Sequence, residues 1–295
     1  MNVGFIGLGR MGAAMAQNIQ TAGHVLHVND IRRDACDPIV EAGASFHATA
    51  RLVAQMSEIV LISVPGPDEL EDVLLGSDGL LAGLERGMLV IDTTTISPDQ
   101  SRKNAERCSE LGVDHLDAPV SGGPHGAISA NLAAMVGGEK PAFERARPLL
   151  ECVAKSITHI GPAGSGNTIK LLNQVIYVSY QMVFAEGLAI GEDLGLDLDT
   201  MLDVWGASAA GHPMISTKFD EIRGLADTPG FVVERALLFV DLAEAARRDL
   251  GYSTPVFDAV AASLRSAEKS GFGSQDMILA RGRYREGADD NRGDN

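Results

Sequence analysis

Apolar and polar positions follow two different rhythms along the 295 residues. In the first half, short apolar runs at residues 3–6, 25–28, 59–64, 88–91 and 115–118 alternate with helix-like stretches such as 11–21, which ends at Gly23. The third run is stopped by Pro65, Gly66 and Pro67, the fourth by Thr93, Thr94 and Thr95, the fifth by Pro119. Strands that alternate with helices predict parallel β-α-β units with both sheet faces covered. The alternation fades after about Ile160. From 165 to 194 the only interior glycines are Gly166, Gly187 and Gly191, and there is no proline. Leu171, Val175, Val178 and Met182 recur there at helical spacing, so one helix of roughly 40 Å is expected, long enough to run between two domains. Stretches 198–205, 235–250 and 255–269 are also helical in pattern. The boundary is placed at Gly161, Pro162, Ala163 and Gly164, which gives an α/β domain over 1–162 and an all-α domain over 163–280. The segment 281–295 lacks apolar periodicity and is expected to be a disordered tail.

Composition narrows the function classes. Forty acidic against 24 basic side chains give a net charge of −16. That argues against binding a nucleic-acid backbone or an anionic bilayer. Three separated cysteines, Cys36, Cys108 and Cys152, with no C-x-x-C spacing, indicate neither a disulfide framework nor a zinc site. The seven histidines lack paired metal-ligand spacing, so no metal is expected. No signal peptide or membrane span is read, and a soluble cytoplasmic protein is expected.

The first chemistry-bearing motif is Gly7-Leu8-Gly9-Arg10-Met11-Gly12, a G-x-G-x-x-G turn after a strand and before an Ala-rich helix. In that context the glycines allow a tight turn, close approach of backbone to a pyrophosphate, and close helix–sheet packing. Eighteen residues past Gly12, Asp30 ends the second strand. A carboxylate there accepts ribose hydroxyls and repels a 2′-phosphate, which favours NAD over NADP. Arg32 works the other way, because a guanidinium can hold a phosphate.

Further along, Lys170, Asn173 or Gln174, Tyr177 and Gln181 form one polar stripe on the long helix. A lysine near a helix start is disfavoured by the helix dipole, which suggests a functional role, with an ordinary snorkelling lysine as the other reading of the pattern.

Four motifs in order give the chain a specific resemblance. Residues 5–19 (FIGLGRMGAAMAQNI), Asp92-Thr93-Thr94-Thr95-Ile96-Ser97-Pro98, Asp117-Ala118-Pro119-Val120-Ser121-Gly122-Gly123 and the segment 164–173 (GSGNTIKLLN) resemble those of the β-hydroxyacid dehydrogenase family. That family includes 3-hydroxyisobutyrate dehydrogenases, tartronate semialdehyde reductases and threonate dehydrogenases. The resemblance implies a Rossmann-type doubly wound sheet followed by an all-α domain, with the active site in the cleft between them. It implies hydride transfer between NAD, or NADP, and a small 3-hydroxy acid or the matching semialdehyde. Lys170 would be the general acid/base, and Asn173 would orient it. Ser121, Gly122, Gly123 and Gln174 would bind the substrate and its carboxylate. Thr95 would stand near the nicotinamide, Val64 and Pro65 would line the cofactor, and residues 7–12 with Asp30 would hold its other end. A homodimer or homotetramer is implied as well, and the apolar stretch 236–240 suits burial against another subunit.

Three positions depart from the family pattern. Gln174 replaces the second asparagine of K-x-x-N-N, Val240 stands where the family usually has a lysine, and Ala130 where a glycine is common. Two other readings are an imine reductase, against which the intact Lys170 argues, and a dinucleotide-binding redox sensor without catalysis, which Val240 motivates. His125 and His212 are read as loop histidines, with substrate selection as the alternative.

Overall fold

The computed structural model describes residues 1–282 and divides the chain into two compact units, residues 1–171 and the part from Leu172 on. The expected tail therefore lies outside the described residues, except for Arg281 and Gly282, which close a single 3-10 turn at Leu279–Gly282.

Among the described residues of the first unit, nine strands form one sheet. They are β1 (Asn2–Ile6), β2 (Val25–Asn29), β3 (Ser45–Phe46), β4 (Ile59–Ile62), β5 (Leu89–Asp92), β6 (Asp114–Asp117), β7 (Val120–Ser121), β8 (Leu132–Gly137) and β9 (Ala154–Gly161). Strands β3-β2-β1-β4-β5-β6 lie side by side and parallel. Beyond β6, strand β8 runs antiparallel, with β7 antiparallel and β9 parallel to it. The chain leaves β1 in one direction for β2 and β3, and returns on its other side for β4. The carboxyl ends of β1 and β4 are therefore the switch point where open α/β sheets bind ligands.

Seven helices connect these strands: α1 (Gly12–Thr21), α2 (Asp37–Glu41), α3 (Ala50–Gln55), α4 (Pro67–Leu75), α5 (Pro98–Glu110), α6 (Gly123–Ile128) and α7 (Lys140–Leu150). They cover both faces, which is why all four residues of β4 and of β5 are buried. One face packs Val3, Phe5, Met15, Leu61, Ile91 and Leu116; the other packs Ile6, Val60, Ile62, Leu70 and Val90. Gly4 lets a helix approach β1, since a β-carbon there would lie 2.6 Å from Val53. Ser97 caps α5 through its hydroxyl, which accepts from Gln100 N–H at 3.2 Å, and Pro98 follows at the first helical position.

A 29-residue helix, α8 (Ser165–Asp193), starts in the first unit and continues into the second. The second unit adds α9 (Leu198–Gly206), α10 (Met214–Thr217), α11 (Phe219–Arg223), α12 (Val233–Arg247) and α13 (Pro255–Ala267). Its core has two parts, one around Val178, Met182, Val240 and Leu264, the other around Phe184, Leu188, Met214 and Ile278. A buried ion pair, Lys218 Nζ to Asp276 Oδ2 at 3.1 Å, sits in this unit, and Asp276 also accepts from the backbone of Gly230, Phe231 and Ile278. No helix of the described residues is long and apolar enough to cross a membrane.

Candidate active site

The glycine turn sits at the switch point. Gly7 has φ +91°, a left-handed conformation that favours glycine, and a β-carbon there would lie 2.3 Å from Ser63 O. A β-carbon on Gly12 would lie 1.9 Å from Gly7 O, so the start of α1 closes on the turn only without a side chain. At Gly9 nothing stands within 4 Å of where a β-carbon would be, which leaves room for a phosphate against the backbone. The first turn of α1 carries no acidic residue, so its positive end is not neutralised by a side chain of its own. Leu8 is buried and Arg10 exposed.

Asp30 follows β2 directly, and its carboxylate is already in use. Oδ2 accepts from Leu8 N–H at 2.6 Å and Oδ1 from Arg32 N–H at 2.8 Å. Each oxygen keeps lone-pair capacity for a ribose hydroxyl. The carboxylate therefore ties the glycine turn to the end of β2. The exposed Arg32 guanidinium stands 3.8 Å from Oδ1. These residues fit a dinucleotide.

The ends of β4 and β5 are joined by threonines. Thr93 donates its hydroxyl to Ile62 O at 2.7 Å, and Val64 N–H donates to Thr94 Oγ1 at 3.4 Å. Val64 and Thr95 are half-buried and Pro65 is exposed. Beyond β6, Ser121 is half-buried, and the exposed Gly122 and Gly123 both take positive φ, +134° and +61°. They turn the backbone sharply into α6, on which His125 is exposed.

Lys170 lies in the second turn of α8 and is only 6 % exposed. Burial pulls its ammonium down to about 8 from an ordinary 10.5. A nearly neutral-pH amine is what proton exchange with an alcohol requires. One turn further along the same helix, Asn173 donates its amide to Gln174 Oε1 at 3.4 Å, and Gln174 is buried. Tyr177 is raised to about 12 by burial, then by the carboxylates of Asp276 and Glu221. Gln181 is fully buried, with neither amide atom hydrogen-bonded among the described residues.

Several buried polar side chains escaped the sequence reading. Asp117 heads the D-A-P-V-S-G-G motif, yet its side chain faces the start of α8. Oδ1 accepts from Gly164 N–H and Oδ2 from Asn167 N–H, both at 2.8 Å. Asn167 in turn accepts from Ile96 N–H at 3.0 Å and donates to Ser101 Oγ at 2.9 Å. Asp92 lies beside Asp117 in register on β5 and is pushed up to about 7, by burial first and by Asp117 less. The motifs that hold these residues were visible as motifs; the inward direction of their polar side chains was not.

Two departures from the family pattern have a physical reading. Ala130 has φ +51°, the only positive φ of a non-glycine among the described residues, so the position calls for glycine. Val240 is fully buried in the apolar core of the second unit. Among the described residues no cluster of three His, Cys, Asp or Glu is placed to hold a metal ion, and Cys36, Cys108 and Cys152 are free.

Residues 2–161 match the family model of the NAD binding domain of 6-phosphogluconate dehydrogenase. Residues 164–281 match that of the NAD-binding domain of NADP-dependent 3-hydroxyisobutyrate dehydrogenase. The chain belongs to the β-hydroxyacid dehydrogenase family. It is 34 % identical to an NAD-dependent L-serine dehydrogenase of Pseudomonas aeruginosa over 94 % of this chain and 95 % of that one. It is 42 % identical to a 2-hydroxy-3-oxopropionate reductase of Escherichia coli over 67 % of each chain. A solved 3-hydroxyisobutyrate dehydrogenase from Salmonella typhimurium superposes with a TM-score of 0.88 at 28 % identity, covering 95 % of this chain and 99 % of the other. Imine reductases, at 20–22 % identity, share the fold alone. As a member of this family the protein is an oxidoreductase that uses a nicotinamide dinucleotide.

Proposed function

We propose that the protein interconverts a small 3-hydroxy acid and the matching semialdehyde, with Lys170 as the general acid/base. The observation that carries this reading is the buried amine of Lys170, held near 8, on a helix whose start is bonded to the loop after β5 and to the end of β6. When bound, the nicotinamide ring accepts or supplies the hydride. In the oxidation direction neutral Lys170 Nζ takes the alcohol proton; in reduction the ammonium returns it to the carbonyl oxygen. Ser121 Oγ and the backbone N–H groups of Gly122 and Gly123 offer donors to the carboxylate. Asn173 and Gln174 supply amides for the substrate oxygen. The test is a screen of short 3-hydroxy acids and semialdehydes with NAD and NADP, read by absorbance of the reduced cofactor. Turnover on a member of this class is expected, and binding of cofactor without turnover on any of them would favour the sensor reading that Val240 motivates.

Asp30 supports NAD over NADP, because a carboxylate at the end of the second strand would repel a 2′-phosphate. The free thiols suit the reducing cytoplasm expected from the sequence. A homo-oligomer is supported by one side of α8. Leu172, Ile176, Val183 and Ile190 are 54 %, 72 %, 68 % and 61 % exposed at near-heptad spacing, and residues 171–185 carry no charge. Two copies of a chain at −16 can meet on the part of this strip from Leu172 to Val183 without facing like charges.

A further inference from the structure

We infer that Asn167, together with Asp117, is a positioning residue that ties the first turn of α8 to the loop after β5 and so fixes where the Lys170 amine stands. The inference rests on Lys170 as the acid/base.

Asn167 is fully buried and every polar group it carries is used. Its backbone N–H goes to Asp117 Oδ2, its amide oxygen accepts from Ile96 N–H, and its amide nitrogen donates to Ser101 Oγ. Ile96 directly follows Thr95, and Ser101 lies in the first turn of α5, so one side chain bridges three segments. Lys170 lies three residues on, about 4.5 Å along the axis and on the same side of the helix. Gly166 lets the helix start press onto β6 and β8, since a β-carbon there would lie 2.5 Å from Asp117 O and 2.4 Å from Met135 O. Asp117 is 0 % exposed and its two oxygens hold N–H groups of Gly164 and Asn167, on either side of the helix start. A carboxylate at that end also interacts favourably with the helix dipole. The helix start therefore has a fixed depth and a fixed rotation, and Lys170 inherits both. Nothing in this arrangement touches the glycine turn that would hold the far end of the dinucleotide.

The variant Asn167→Ala tests it by two independent readouts. Competitive acetylation of Lys170 across pH, followed by mass spectrometry, reports the titration of its amine without turnover. The midpoint is expected to rise from about 8 toward 10.5 as water reaches the loosened site. Turnover per folded molecule is expected to fall roughly 10- to 100-fold, as for a reacting group displaced by about 1 Å, while the dissociation constant for NAD stays within about twofold. Ser101→Ala removes one of the two side-chain bonds and is expected to shift both readouts the same way by less, so it serves if the alanine variant fails to fold. An unchanged Lys170 midpoint with unchanged turnover per folded molecule, even with a lower melting temperature, would overturn the inference. Absence of any turnover by the unmodified protein would refute the catalytic reading instead, and the acetylation midpoints would still decide the role of Asn167.

Discussion

Replacing Lys170 with methionine should make the protein more stable near neutral pH while removing its activity. The native state holds this amine at about 8, against 10.5 for an ordinary lysine, because burial penalises the charged form. The gap of about 2.5 pH units corresponds to ~3 kcal/mol at about 1.36 kcal/mol per unit. A depressed lysine opposes folding wherever the unfolded chain keeps the proton. Below about 8 the whole penalty applies, since the buried amine is charged in both states. Between about 8 and 10.5 the unfolded state binds the proton and the native state does not, so stability rises with pH. Above 10.5 the penalty is gone. Methionine has similar length and no charge to desolvate. The difference in unfolding free energy between Lys170→Met and the unmodified protein should thus be about 3 kcal/mol in favour of the variant at pH 7, and should shrink toward zero by pH 11. Urea denaturation of both proteins at several pH values measures it, and every other titrating group cancels in the difference. A variant equally or less stable at pH 7, or a difference that does not change with pH, would refute the reasoning.

Asp30→Ala should weaken NAD by tenfold or more and raise the NADP-to-NAD preference. It removes the ribose acceptor and also frees Leu8 N–H from its partner at 2.6 Å; an unchanged ratio of cofactor affinities would count against the ribose contact. Sedimentation should find an oligomer that Ile176→Glu or Val183→Glu dissociates, since each puts a charge on the exposed strip of α8; a strictly monomeric unmodified protein would dispose of that reading.

Much of this architecture was legible because the first half of the chain is built from buried parallel strands. Residues such as Ile59, Val60, Leu61 and Ile62 need apolar side chains on both faces, so the strands read as unbroken apolar runs. The later strands were not read. β9 carries Lys155, Ser156, Thr158 and His159 and buries only Ala154 fully, and β8 has two alanines in its first half, so neither shows a strand pattern strong enough to read without its neighbour. The two-residue β3 and β7 are too short for any periodicity. At the site, the glycine turn could be read because its chemistry depends on residue type at a fixed spacing, whereas Lys170 stood out only through the motif that carries the family resemblance. Asp117 and Asn167 were missed for the opposite reason. Their importance lies in which backbone N–H groups they meet across 47 to 71 residues of chain, and that depends on the folded sheet. Ala130 shows a third case, in which the departure from glycine was visible and the positive φ that explains the glycine was not.

The central claim is that the amine of residue 170 moves the proton. Its most direct test is turnover of the screened hydroxy acid by Lys170→Ala, with and without added primary amines. The variant is predicted to lose at least a hundredfold in turnover, to bind NAD nearly as before, and to regain rate in proportion to the neutral fraction of the added amine. A Lys170→Ala protein that keeps most of its rate would contradict the account.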